Sequence, residues 1–482
     1  MLRRNSFLSN SLTYLLGSVS VSLLSVFSFS VIVNHLSVSE FGQLSILMQM
    51  ALLTSYFFGM QLNRFIVIEY NIMGEESEDY ATLIGTMLLL ISAISTLTLA
   101  ILSTALLVFD YSLVEGIGVE EQAIALFSGL FIAMITFVNA YLMISERPLL
   151  VSSFMTLRAS LFLGLLIVTL SIIDNGVRGA ILSEALSTFL VSSILLVGLI
   201  SKFGIKLNFK HIKPSLVFSL PLIIHALGLW SLVSADRFVI EHFLDYEMVG
   251  IYSFGYAIAS FLALFTVSID NTWSPIFLEI CEKRPHFAKI VGGYWSSYPA
   301  VLSIICIIFM SFSPFFIEIL GSSEYESSND FIPLLIGGMF FQGLYLAYSR
   351  TLHMKKKTTL LASITLFTAL FNLFSTAILV PIMGIDGAAY ATLFSYMLLM
   401  ILALHFSQKN ERMELNYFSL SKHVCIFFIS ISTISLLAQK NEFIGLVMGL
   451  LIATLIFLSR RNEVDEVLQI QFKRSESPAD NQ

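Results

Sequence analysis

A few ionisable side chains interrupt long apolar runs in this chain, and these are the positions where chemistry is conceivable. Asp, Glu, Lys and Arg make up only 12% of the residues. A charge near the middle of a bilayer costs about 2.5–3.5 kcal/mol on insertion scales, so each one asks for a reason. The acidic candidates are Glu184 and Asp270, with the neighbours Asp236 and Arg237 at the end of another run. A partly buried carboxylate of this kind can exchange a proton or Na⁺ as its surroundings change, which makes these four candidates for ion coupling or gating. The basic candidates are Arg64 and Arg158, whose planar forks suit phosphate groups. Asn63 lies beside Arg64, and Asn271 follows Asp270; both are polar positions able to line a cavity. His225 is the one histidine set deep in an apolar run, where a satisfied interior histidine is the plain account. Plain accounts stand beside the others too. Arg64 and Arg158 suit snorkelling to lipid phosphates, Asp236–Arg237 suits a boundary ion pair, and Glu184 is only about a turn from a predicted boundary.

Other chemistry finds no support in the residues. No GxxxxGK[ST] loop is present, so hydrolysis of ATP in cis is not expected. No HExxH or His-Cys cluster and no GxSxG elbow occurs, so neither a metal nor any other cofactor is expected. Cys281, Cys306 and Cys425 are isolated, and the formal charge of −7 forms no basic patch for nucleic acid.

The elements that must position these residues are membrane helices. Fifty-six per cent of the residues are apolar and 42 are Phe, and the mean hydropathy is +0.85. A soluble domain carries about 25% charged residues. A hydrocarbon core of roughly 30 Å needs about 20 apolar residues per helix. Fourteen such segments are predicted, at about 11–33, 43–62, 81–109, 122–144, 152–173, 180–200, 216–235, 248–270, 291–318, 331–349, 359–380, 387–406, 422–438 and 443–459. The first is too long for a signal-peptide core and lacks a small-residue cleavage site, so it is expected to stay in the membrane. The ending after Arg460 is polar and reads as disordered. With the N-terminus inside and the sides alternating, only Arg178, Arg237 and Lys440 of the 26 Lys and Arg residues fall outside. This asymmetry predicts that both termini are cytoplasmic.

The chain also repeats itself. Pairing Gly42 with Gly250, a displacement of 208, also pairs Asn63 with Asn271 and lays Gly176-Val177-Arg178-Gly179-Ala180 over Gly384-Ile385-Asp386-Gly387-Ala388. The shift carries the first span onto the seventh, so both copies point the same way. Parallel repeats of this kind are a transporter layout. The expected fold is therefore an all-α polytopic membrane protein of about 14 helices. It divides into an N-lobe (1–205), a C-lobe (206–410), two extra C-terminal helices (411–460) and a polar tail (461–482).

Several short motifs stand out: Tyr14-Leu15-Leu16-Gly17, Leu36 through Gly42, Ser234 through Ile240 and Val249-Gly250-Ile251-Tyr252. Pro275 and the Gly384-Ile385-Asp386-Gly387-Ala388-Ala389 turn add to them. In these motifs the chain resembles the Wzx-type oligosaccharide flippases. These belong to the polysaccharide transport family of the multidrug/oligosaccharidyl-lipid/polysaccharide (MOP) exporter superfamily. The resemblance covers roughly residues 5–410 and implies two MATE-like lobes related by a pseudo-two-fold axis. It implies no enzyme, but movement of undecaprenyl-diphosphate-linked repeat units, of O-antigen or another surface polysaccharide, across a bacterial inner membrane by alternating access. Arg64, Arg158, Asn63 and Asn271 are then expected to bind substrate. Membrane lipids, a polymerase and a chain-length regulator are the implied partners. A drug/cation antiporter of the same fold and a membrane-embedded polymerase or glycosyltransferase are the alternatives. The first span carries no Asp or Glu, and the longest predicted outer stretches, 110–121 and 236–247, are short for a sugar-transfer site.

Overall fold

The computed structural model of the chain describes residues 2–109, 112–459 and 461, side chains excepted at 2–12, 14, 15 and 107–109. The side chains of Arg3, Arg4, Tyr14 and Leu15, and the polar ending with Lys473 and Arg474, lie outside what is described. Among the described residues there are fifteen α-helices. They are α1 (Leu2–His35), α2 (Val38–Gly59), α3 (Leu62–Met73), α4 (Glu78–Phe109), α5 (Val119–Ile144), α6 (Pro148–Leu166), α7 (Gly176–Phe203), α8 (Ile212–Phe243), α9 (Tyr246–Lys283), α10 (Phe287–Leu320), α11 (Ile332–Met354), α12 (Thr358–Met383), α13 (Ile385–Asn410), α14 (Tyr417–Ala438) and α15 (Glu442–Ser459). Fourteen helical stretches are long and apolar enough to cross a membrane, and each overlaps one of the predicted spans. Large apolar side chains such as Ile172, Ile319, Ile382 and Leu455 stay exposed along them, as a chain dissolved in lipid requires.

The departures from expectation have local causes. The second span does not run on to residue 62. Met60 and Gln61 take left-handed backbone (φ 46° and 54°), breaking the helix and starting the short α3. Arg64 therefore sits on α3, not at the end of α2. The eighth span outruns its apolar window by more than three turns, reaching Lys283 with Pro275 inside it. The π-helical turn Ile167–Ile172, which continues α6, and the 3₁₀ segment Ser323–Asp330 leave no hydropathy signal.

The chain forms two compact units, Met1–Trp230 and Ser231–Gln482. In the first, Tyr80, Leu83, Met87, Phe137 and Tyr141 are buried in one cluster, and Phe203 meets the Tyr80 and Tyr141 rings edge-on. In the second, Trp273 stacks on Tyr294 with ring centres 3.6 Å apart, and Tyr294 on Tyr298. The glycines of Gly445-x-x-x-Gly449 pack α15 against Ala438 of α14 and Ser311 of α10.

The displacement of 208 reappears in the backbone. Ser37 caps α2 by accepting from the Glu40 amide, and Asp245 caps α9 by accepting from the Met248 amide. Such caps are each worth about 1 kcal/mol. Gly176 and Gly384, at the starts of α7 and α13, both take positive φ. The match extends to the segments that leave the sixth helix of each repeat. The Asn208 amide donates to Thr86 Oγ1 at 3.0 Å, and the Asn416 amide donates to Ser296 Oγ at 3.0 Å. A Cβ on Gly85 would lie 2.7 Å from the Lys206 nitrogen, and one on Gly292 would lie 2.2 Å from the Glu414 oxygen. Only glycine lets the departing backbone cross that close. Each half thus clamps its exit segment across its own third membrane helix, α4 or α10.

Candidate functional site

The candidate charges within the membrane helices fall into three groups, and in each the structure supplies a partner. Glu184 on α7 is buried and accepts a hydrogen bond from Arg158 NH2 on α6. Arg158 keeps 30% of its side chain exposed, and its Nε makes no hydrogen bond. Two residues with separate expected roles, substrate binding and ion coupling, thus form one ion pair. Asp270 on α9 is gripped by Arg350 on α11. Arg350 Nε donates to Oδ1 at 2.9 Å and NH2 donates to Oδ2, the two-pronged geometry for which guanidinium is suited. Arg350 had no distinguishing signal in the sequence, because the orientation rule alone accounts for a basic residue at that depth.

The third group is the driest. Asp236 is 1% exposed and Arg237 is 5% exposed. Asp236 Oδ1 accepts from Arg237 NH1 at 3.0 Å and from the Arg237 amide at 2.9 Å, while Oδ2 accepts from the Tyr252 hydroxyl at 2.5 Å. Tyr252 also lies 3.2 Å from Thr392 Oγ1 on α13. The Arg237 guanidinium sits over the Tyr256 ring, 4.5 Å from its centre, a cation–π contact that is strongest when desolvated. This is not a solvated boundary pair: α8, α9 and α13 enclose it. Tyr252, which falls in one of the matched motifs, has a buried partner as its physical role.

The remaining candidates stand apart. Arg64 is exposed on α3 beside the half-buried Asn63, and Asn271 is exposed on α9 next to buried Asp270. The structure does not bring Arg64 and Arg158 into a shared contact. His225 is half-buried on α8, and its Nδ1 makes no hydrogen bond.

A further cluster was not foreseen. Glu75, in the turn between α3 and α4, accepts from Lys202 Nζ, from Tyr141 Oη at 2.7 Å, from Tyr70 Oη at 3.0 Å and from Arg147 NH2 at 3.2 Å. Partial burial works to raise its pKa, but the Lys202, Tyr141 and Tyr70 hydrogen bonds outweigh that and hold the carboxyl at about 2. Burial, and then the Glu75 hydrogen bond, push the Tyr70 hydroxyl up to about 12. Four segments of the first unit, including the ends of α5 and α7, meet on this carboxylate. In the sequence Glu75 is one of several acids in Glu75-Glu76-Ser77-Glu78-Asp79 and reads as a solvated loop.

Residues 7–281 match the profile of the polysaccharide biosynthesis protein family. The chain belongs to that family. Among its relatives is the probable low-salt glycan biosynthesis flippase Agl15 of Haloferax volcanii, 24% identical over 264 residues. That match takes in 52% of this chain and spans only 56% of the relative's length. The fold is shared with lipid II flippase MurJ in an inward closed conformation, at TM-score 0.73 and 16% identity, covering 96% of this chain and 99% of that one. It is shared also with a multidrug resistance MATE family transporter of the MOP superfamily in its inward-facing conformation, at TM-score 0.61 and 15% identity, over 80% and 93% of the two chains. The family member is thus an all-α membrane protein with the fold of MOP-superfamily transporters.

Proposed function

We propose that this chain is a flippase for lipid-linked oligosaccharides. It carries undecaprenyl-diphosphate-linked repeat units of O-antigen or another surface polysaccharide across a bacterial inner membrane by alternating access. The observation that carries this reading is the family match over residues 7–281 in a chain whose fold, over 96% of its length, is that of a lipid II flippase. The buried charges support it. An anionic diphosphate has to leave water, and compensating guanidinium groups lower the free-energy cost of that step in hydrocarbon.

Arg64, exposed with Asn63 beside it, receives the head group first in this account. Glu184 holds Arg158, and an arriving phosphate competes with that carboxylate for the fork. Release of Glu184 leaves it free to take up a proton or Na⁺, which couples transport to an ion. Asp270 with Arg350, and Asp236 with Arg237, are pairs that alternate between partners as the transporter changes state. Asn271 lines the path next to Asp270. Polymerase and chain-length regulator act on the product.

Depletion of the protein in its host tests the reading. Surface polysaccharide should fall, while repeat units accumulate on the lipid carrier facing the cytoplasm. Arg64→Ala and Arg158→Ala should do the same at normal protein levels, Arg→Lys should rescue in part, and Lys356→Ala should change little. Wild-type export from the double Arg→Ala variant at normal abundance would remove both arginines from the site. Unchanged surface glycan on full depletion would sink the flippase assignment itself.

A further inference from the structure

The segment linking α13 to α14 borders two neighbouring cavities in the second unit. One, of about 530 Å³, is a crevice between α13 and α14 walled by Met400, Leu404, Leu420 and Val424. The other, of about 380 Å³, is lined by Arg412, Glu414 and Leu415. Gln408 and Tyr417 line both, so the two adjoin. α14 packs on α10 and α15, leaving its α13 side open. The geometry points to a bound zwitterionic glycerophospholipid of the phosphatidylethanolamine type, with an acyl chain in the crevice and its head group between Arg412 and Glu414.

Each part of the cavity matches part of that molecule. An apolar void forfeits dispersion contacts and repels water, so in a bilayer it fills with hydrocarbon. The polar end lies in the segment that the basic-residue distribution assigns to the cytoplasmic face, at head-group depth. Arg412 and Glu414 are both exposed, and neither is in an ion pair among the described residues. A phosphate answers Arg412 and a primary ammonium answers Glu414; a choline head has no N–H to donate. Gln408 Oε1 accepts from the Met413 amide at 3.0 Å, while its buried Nε2 has no partner. A polyprenyl diphosphate fits poorly, because Glu414 opposes its multiple negative charge.

The site stands apart from the transport reading, and its test reads bound lipid, not export. Full-length protein, stripped of lipid in detergent, is offered palmitoyl-oleoyl phosphatidylethanolamine, phosphatidylglycerol, phosphatidylcholine or undecaprenyl phosphate, and retained lipid is counted by native mass spectrometry. One phosphatidylethanolamine should be held about tenfold more tightly than phosphatidylglycerol, the scale expected when Glu414 attracts an ammonium instead of facing a net negative head group. Leu404→Trp, which fills the crevice, should abolish retention of that one lipid. Glu414→Lys, at an exposed position, should reverse the preference toward phosphatidylglycerol. Equal retention of the phospholipids in wild type and Glu414→Lys alike would overturn the proposal. So would stoichiometric displacement of phosphatidylethanolamine by undecaprenyl phosphate.

Discussion

The charged residues in the membrane helices differ in how dry they are, and that difference governs what each substitution should do. Arg178 pairs with Glu120 where both side chains are about half exposed (48% and 56%), so Arg178→Ala should cost at most about 1 kcal/mol. Arg237→Ala leaves Asp236 in a site that is 1% exposed, and breaking a buried pair on one side costs roughly 3–5 kcal/mol. Thermal unfolding in detergent should therefore separate the two variants clearly, and equal midpoints would mean that water reaches Asp236. Asp270→Asn and Arg350→Ala should couple, their combined loss falling short of the sum by about 1–3 kcal/mol. An additive double variant would dissolve that pair. At this scale the sequence was informative about which residues are costly and silent about what satisfies them. Glu184, Asp236 and Asp270 stand out because they interrupt apolar runs. Arg350 and Thr392 do not, since pairing across helices 80 and 140 residues apart is a tertiary fact. Glu75 was hidden by its acidic neighbours.

At the scale of elements, hydropathy found each of the fourteen membrane-length stretches, because a run of about 20 apolar residues is a strong signal. The same signal could not see α3, whose 12 residues break a short apolar run with polar ones, or the break at Met60–Gln61, which rests on two left-handed residues with no glycine between them. Nor could it see the clamps, although their residues stand 208 apart at Asn208 and Asn416. Gly85→Ala places a Cβ against the Lys206 backbone. Overpacking of this sort costs about 1–3 kcal/mol, and hydrogen exchange at the Asn208 amide should accelerate while helix α4 stays protected. Unchanged exchange would show that the segment does not depend on the close approach. The Glu75 cluster makes a pH prediction. Its folded carboxyl lies at about 2, below the ordinary 4.5. Its contribution is therefore complete above about pH 4.5 and is lost as pH falls toward 2. The stability gap between wild type and Glu75→Gln should be flat from pH 7 to 5 and close below that. A gap that widens on acidification would contradict the assignment.

For the molecule as a whole, the repeat and the orientation are linked, because a displacement of six spans preserves direction only if the spans are counted correctly. Reporters fused near Gly118, Ser323 and Asp386 should signal the outside, and fusions near Asn208 and Lys356 should signal the cytoplasm. A cytoplasmic signal at Ser323 would break the alternation in the second half. The family match and the fold account for the architecture, and the small motifs that carry the resemblance lie in helix packing and turns and not in contacts to a sugar. The central claim is movement of a lipid-linked glycan, and it is measured most directly in vesicles. Purified protein is reconstituted with an undecaprenyl-diphosphate oligosaccharide, and an added glycosidase reports how fast sugar from the inner leaflet becomes accessible. Wild-type protein should expose the inner-leaflet pool, and Arg64→Ala with Arg158→Ala should slow exposure at least about tenfold, the worth of a lost charge-assisted hydrogen bond. Exposure by the wild type no faster than in protein-free vesicles, with or without a proton or Na⁺ gradient, would contradict it.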